Sequence, residues 1–145
     1  QDAVAVVPGV DGQKMSKSYD NTLEIFAPAK KLRKKIMGIV TDSTPVEEPK
    51  DPDASIIYHL YRLFVDESGA EEMAQRFRAG GMGYGDAKKA LYEAMTEYFG
   101  PFREKREALA ADPDTVARIR NQGAEKARAA ARETLAKVRQ AVGTG

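Results

Sequence analysis

Asp86-Ala87-Lys88-Lys89-Ala90-Leu91-Tyr92-Glu93-Ala94-Met95-Thr96-Glu97-Tyr98-Phe99 is the stretch whose reading decides the fold. Its apolar residues Ala87, Ala90, Leu91, Ala94, Met95, Tyr98 and Phe99, with Phe102 beyond, recur at three-and-four spacing. That period puts them on one face of a helix. Asp86 stands where a side-chain oxygen would cap it. Gly100-Pro101 is expected to kink or break the helix, because proline forfeits a bond to the preceding turn. The helix is expected to resume through Arg103 to Ala110.

The same period recurs on either side. Toward the C-terminus, Asp112-Pro113 opens a last helix, with Pro113 at the first position where a missing N–H costs nothing. Val116, Ile119, Gly123, Ala127, Ala130, Leu135, Val138 and Val142 form its apolar stripe, whose small central residues would let another helix come close. Gly143 is the expected stop. Toward the N-terminus, Gly80-Gly81-Met82-Gly83-Tyr84-Gly85 lacks the leading apolar strand of a nucleotide loop and reads as a helix–helix connection. Ser68 is the expected cap of a helix over Glu71–Ala79 that buries Met73, Ala74 and Phe77. Asp53 or Ser55 would cap a helix to about Val65 with Ile56, Ile57, Leu60, Tyr61 and Phe64 inward. His59, the one histidine, reads as structural, since a metal site needs several ligands. Thr41–Asp53, with three prolines and five acids, has no helical period and reads as a linker or ordered loop.

Before it, Pro28 marks the first turn of a helix with Ala29, Leu32, Ile36 and Val40 on one face. Lys30, Lys31, Arg33, Lys34 and Lys35 put five cations into six residues of this helix, with no acid within a turn to form local ion pairs. An unneutralised basic helix suits a nucleic-acid backbone, and Lys30, Arg33 and Lys34 are the candidate RNA contacts. The chain opens on Gln1 and the β-branched run Ala3-Val4-Ala5-Val6-Val7, which reads as a buried strand. One strand makes no sheet, so a piece of a longer protein is expected. The fold class that follows is mainly α, a bundle of about five helices preceded by a short strand and a loop.

Composition narrows the chemistry. Apolar residues at 42% are enough for a core, and 23 basic against 22 acidic residues leave a net charge of +1. Any RNA contact must therefore come from local patches. The absence of cysteine excludes disulfides and thiolate metal sites in these residues and fits a cytoplasmic protein. No run reaches the roughly 18 apolar residues of a membrane span.

Between strand and basic helix lies Lys14-Met15-Ser16-Lys17-Ser18, entered through Pro8-Gly9-Val10-Asp11-Gly12-Gln13 and left through Tyr19-Asp20-Asn21. Pro8, Gly9 and Gly12 favour turns over a packed strand or helix. Two ammonium groups, two hydroxyls and several backbone N–H groups on a mobile hairpin are the inventory for gripping a polyphosphate.

This pentapeptide and its flanks, Pro-Gly-x-Asp-Gly before and Ser-Tyr-x-Asn after, resemble the signature loop of the class I aminoacyl-tRNA synthetases. Ile25-Phe26, Lys34-Lys35-Ile36-Met37, Val40-Thr41-Asp42-Ser43 and Gly123-Ala124-Glu125-Lys126-Ala127-Arg128 resemble the tryptophanyl branch of that family, over essentially the whole chain. Asp20 departs from the family's usual glycine, which bears on the local turn.

The resemblance implies a division at residue 25. Residues 1–25 would be the C-terminal edge of a Rossmann-type catalytic domain, and 26–145 an α-helical anticodon-binding domain. Lys14 and Lys17 would be catalytic. Lys14, Met15, Ser16, Lys17 and Ser18 would bind ATP, which is used with Mg2+, and no residue here is expected to hold a metal. The implied partners are tRNA(Trp), ATP and tryptophan, whose pocket lies outside this sequence, in a parent that is a homodimer. By itself the chain is expected to bind no ligand and catalyse nothing. The rival readings are a stand-alone helical RNA-binding module and the tail of another class I synthetase.

Overall fold

The computed structural model describes residues 6–144. Among them are five α-helices: α1 (Ala29–Met37), α2 (Ile56–Tyr61), α3 (Glu67–Ala79), α4 (Tyr84–Ala111) and α5 (Pro113–Val142). The expected strand over 3–7 lies largely outside the described residues. Val6 and Val7, which are described, form no strand, and among the described residues the one β feature is an isolated antiparallel bridge between Pro8 and Lys14.

Two compact units divide the chain, residues 1–101 and 102–145. The functional division expected after residue 25 therefore falls inside the first unit. That unit owns the core: Leu32 and Ile36 of α1, Ile57 and Leu60 of α2, Met73 and Phe77 of α3, Ala87, Leu91 and Met95 of α4, with Leu23, Ile39 and Met82 from the connections. These are the apolar stripes of the sequence, each burying its face against the others. Phe77 is fully buried and meets Tyr84 edge-on at 6.2 Å, while Phe64 makes edge contacts with Tyr98 and Phe99, each at 5.6 Å.

Several boundaries move. Pro28 is the cap residue of α1 rather than its first turn, its carbonyl accepting from Lys31 and Leu32. The helix ends at Met37, so Val40 is exposed and Ile39 takes the buried place; Ala29 is also exposed. Ser55 caps α2 as expected, through the N–H of Tyr58, but α2 stops at Tyr61. Asp66, not Ser68, caps α3, its Oδ1 accepting from Gly69 at 2.8 Å, so the helix starts four residues earlier than Glu71. α4 starts at Tyr84, with the Gly83 carbonyl accepting from Asp86 and Ala87, and Asp86 lies in the first turn. It does not break at Gly100-Pro101: the missing proline N–H removes one bond from a 28-residue helix whose neighbours hold.

The stretch 41–53 is ordered by a residue whose role no periodicity reveals. Lys50 is only 4% exposed. Its ammonium donates to the carbonyls of Pro45 at 2.7 Å and Glu48 at 3.1 Å and lies 5.4 Å from the Tyr84 ring centre. Gly81 donates to the Val46 carbonyl at 2.8 Å, and Gly80 lies so close beneath that a Cβ would stand 2.4 Å from the Glu47 oxygen.

In the second unit, Asp112 caps α5 through Thr115 as the sequence predicts, and Gly143 ends it in a left-handed conformation. α5 buries no residue, and Val116, Ile119, Leu135, Val138 and Val142 are exposed.

Candidate functional site

The segment 7–21 is a braced loop rather than a free hairpin. Gly9 donates to the Gln13 carbonyl at 2.7 Å and Met15 to the Val7 carbonyl at 2.9 Å, which closes the turn around Gly12 in its positive-φ conformation. Lys17–Tyr19 is a single 3-10 turn, and the Ser16 hydroxyl oxygen caps it by accepting from the Ser18 N–H at 3.2 Å. The loop is pinned to the core on one side: Val7, Val10 and Met15 pack against the buried cluster, and Val10 accepts from Val40 at 2.9 Å.

This corrects the expectation of freely available backbone donors. The N–H groups of Met15, Ser16 and Ser18 all have partners inside the loop. What remains outward is cationic. Lys14 and Lys17 are exposed, and among the described residues neither ammonium has a partner. Met15 between them points the other way, into the core. The alternation Lys-Met-Ser-Lys thus has a mechanical reason: the apolar residue anchors, and the cations on either side are held out. Lys14 borders a hollow of about 600 Å3 lined by Asp11, Gln13 and Tyr19.

Asp11 and Asn21 do the bracing, and the sequence reading gave them no role of their own. The Asn21 amide nitrogen donates to Asp11 Oδ1 at 2.9 Å and to the Lys14 carbonyl at 3.1 Å, and its oxygen accepts from the Ser16 N–H at 2.7 Å. The Asn21 bond above all holds the Asp11 carboxyl below the usual carboxylate range, against the opposing effect of burial and with a lesser contribution from the Gln13 N–H. The signal was present in the flanks of the pentapeptide, but only as part of a pattern.

Next to the loop exit, the basic helix is partly neutralised by acids from outside it. Lys35 donates to the Asp20 carbonyl at 2.8 Å and to its carboxylate at 2.9 Å. That bond lowers the Asp20 pKa, with the coulombic attraction of Lys35 second. Lys31 pairs with Glu24 at 2.8 Å. The expectation of five unpaired cations fails here because the partners lie seven and fifteen residues away, beyond any local rule. Lys30, Arg33 and Lys34, the candidate RNA contacts, are exposed and have no partner among the described residues. Asp20 itself sits in the left-handed region, with φ of 49°, which explains why glycine suits that turn and why aspartate is tolerated.

His59 faces the Asp53 carbonyl at 2.8 Å, a structural contact. Among the described residues no three His, Cys, Asp or Glu side chains converge as a metal site would need.

Comparison with known proteins defines the class. Residues 3–100 match the family model for class I tRNA synthetases (W and Y), and the chain belongs to that family. Within it, similar relatives include tryptophan–tRNA ligases. The tryptophan–tRNA ligase of Rhodopirellula baltica is 52% identical over 98% of this chain and 44% of its own length, and that of Fusobacterium nucleatum is 50% identical over 98% and 43%. The crystal structure of tryptophanyl-tRNA synthetase from Campylobacter jejuni complexed with ADP and tryptophan superposes with a TM-score of 0.92 at 45% identity, covering 99% of this chain and 45% of that one. The chain thus spans less than half the length of the curated relatives it matches. Among the described residues no helix is long and apolar enough to cross a membrane.

Proposed function

We propose that this chain is the C-terminal part of a tryptophan–tRNA ligase, supplying the loop that neutralises the departing pyrophosphate and the helices that meet tRNA(Trp). The observation that carries this reading is the pair Lys14 and Lys17, exposed and without a partner among the described residues, on a loop whose other polar groups are largely satisfied from within. Cations held in place before charge develops need no reorganisation when it does.

In the parent enzyme a carboxylate oxygen of tryptophan bonds to the α-phosphorus of ATP. The bond from that phosphorus to the bridging oxygen breaks, and the electron pair leaves with pyrophosphate. Lys17 stands beside the developing charge and Lys14 assists from the loop entry, each a compact point charge. Removing one such preorganised group typically costs about 10²- to 10³-fold in rate. Met15 anchors the loop, while Ser16 and Ser18 shape it, their O–H groups remaining available to phosphate. Lys30, Arg33 and Lys34 would contact the tRNA backbone from α1, in the domain read as anticodon-binding. The cytoplasm, the dimeric parent and the inactivity of this piece alone belong to the same reading.

The test is single-turnover adenylation in the full-length enzyme carrying Lys17→Ala. The expected outcome is a rate loss near 10²-fold or more with tryptophan affinity retained. Equal loss in rate and in tryptophan binding would reject the role.

A further inference from the structure

We propose that Asn21 is a positioning residue that sets both catalytic lysines, acting as a latch across the loop; this rests on the ligase reading above. One planar amide, only 2% exposed, ties the two peptide groups that flank Met15: the Lys14 carbonyl accepts from its nitrogen and the Ser16 N–H donates to its oxygen. The Asn21 backbone carbonyl accepts from Val10 at 3.0 Å, so the latch is fixed to the loop entry as well. Lys14 is held by its own carbonyl, and Lys17 follows directly on Ser16, the residue held at the other end.

The orientation of the amide follows from its neighbours' chemistry. The Asp11 carboxylate and the Lys14 carbonyl can only accept, so the nitrogen faces them; the Ser16 N–H can only donate, so the oxygen faces it. An aspartate at this position would keep the acceptor and lose both donations, placing its charge against that of Asp11. A glutamine would need room that is absent, because the Asn21 amide lies flat on Gly9. A Cβ at Gly9 would stand 2.4 Å from Asn21 Cγ and Nδ2. Asn21 is buried with all its side-chain bonds inside the loop, so it acts through Lys14 and Lys17. Displacing a catalytic group by about 1 Å can cost about 10²-fold.

The experiment is tryptophan-dependent ATP–pyrophosphate exchange in the full-length enzyme, with tryptophan affinity and amide hydrogen exchange at Ser16 measured in parallel. Asn21→Ala is expected to lower kcat by about 10²-fold, to leave the tryptophan Kd within about twofold, and to speed exchange of the Ser16 amide. Asn21→Asp is expected to lose a similar factor. Adding Asp11→Asn to it removes the like charge but still leaves the Lys14 carbonyl without its donor, so the double variant is not expected to recover the rate. The double variant keeps the proposal testable if the alanine variant folds poorly. An unchanged kcat in Asn21→Ala overturns the proposal, as does full recovery in the double variant, which would make the like charge rather than the lost latch the cause. A wild-type enzyme without tryptophan-dependent exchange defeats the ligase reading instead, and the Ser16 amide still reports whether the latch holds the loop.

Discussion

Replacing Lys50 by methionine tests whether the segment 41–53 is ordered by one buried ammonium. Methionine keeps the apolar stem and much of the volume, so the packing term is nearly held. What is lost is the charge and its two short donations, at 2.7 Å to Pro45 and 3.1 Å to Glu48; the third, to Val46 at 3.4 Å, is long enough to ignore. Hydrogen bonds to a charged group are worth about 1.5–3 kcal/mol net. Two effects reduce the sum. The Pro45 carbonyl still accepts from the Glu48 N–H, and Glu48 is exposed, so its carbonyl has water at hand. Removing a buried charge also removes its desolvation cost. The net loss is therefore nearer one such bond than two, about 2 kcal/mol. For a unit of roughly this size that lowers the melting temperature by about 10 °C. Urea and thermal unfolding followed by circular dichroism would read it, with Lys89→Met, an exposed lysine of α4, as the control expected to stay within about 0.5 kcal/mol. If Lys50→Met unfolds together with that control, the buried ammonium is not what holds the segment.

Gly80→Ala should cost roughly 1–3 kcal/mol from its backbone conformation alone, and more from the Cβ facing the Glu47 oxygen; an unchanged urea midpoint would contradict this. Phe77→Ala should cost about 3–5 kcal/mol, since the ring is fully buried among four helices, and calorimetry would register it. Asp11, Asp20 and Asp112 all have carboxyl pKa values below the ordinary 3.8, by hydrogen bonds from Asn21, Lys35 and Thr115 respectively. Their contribution to stability is complete above that value and is lost as pH falls through the lowered ones. Asp112→Asn should therefore flatten part of the acid loss seen in urea midpoints between about pH 5 and pH 2. Neutralising Lys30, Arg33 and Lys34 together should reduce the salt dependence of tRNA binding by roughly 2 in log–log slope; an unchanged slope would move the contact elsewhere.

What could be seen in the sequence, and what could not, follows the range of the interactions involved. Leu91, Met95, Phe77 and Ile57 announce themselves because a helix face repeats every few residues, and the core simply joins four such faces. Cap positions shifted by a few residues, as with Asp66 for Ser68, because several acids and hydroxyls near a helix start compete for the same N–H groups, and only the backbone path decides. Lys50 carries no periodic signal at all. It reads as one more surface lysine in an acidic, proline-rich stretch, until the chain folds the carbonyls of 45–48 around it. The basic helix shows the same limit in reverse, since Asp20 and Glu24 lie too far along the chain to count as its partners.

That limit explains why the loop itself was half legible. The cations Lys14 and Lys17 are visible as chemistry, because ammonium groups beside hydroxyls suit phosphate wherever they occur. The geometry of the loop that carries them depends on Asp11 and Asn21, ten residues apart and meeting only when the turn closes over Gly9. Asp20 adds a consequence of its own. Its pairing with Lys35 ties the exit of the loop to α1, the helix that presents Lys30, Arg33 and Lys34. A nucleic-acid backbone drawn to those three cations would compete for the helix's charge but not for Lys35, whose ammonium is already bonded to Asp20. The division of labour along α1 thus leaves Lys35 to hold the loop, Lys31 paired with Glu24, and three cations to meet solvent.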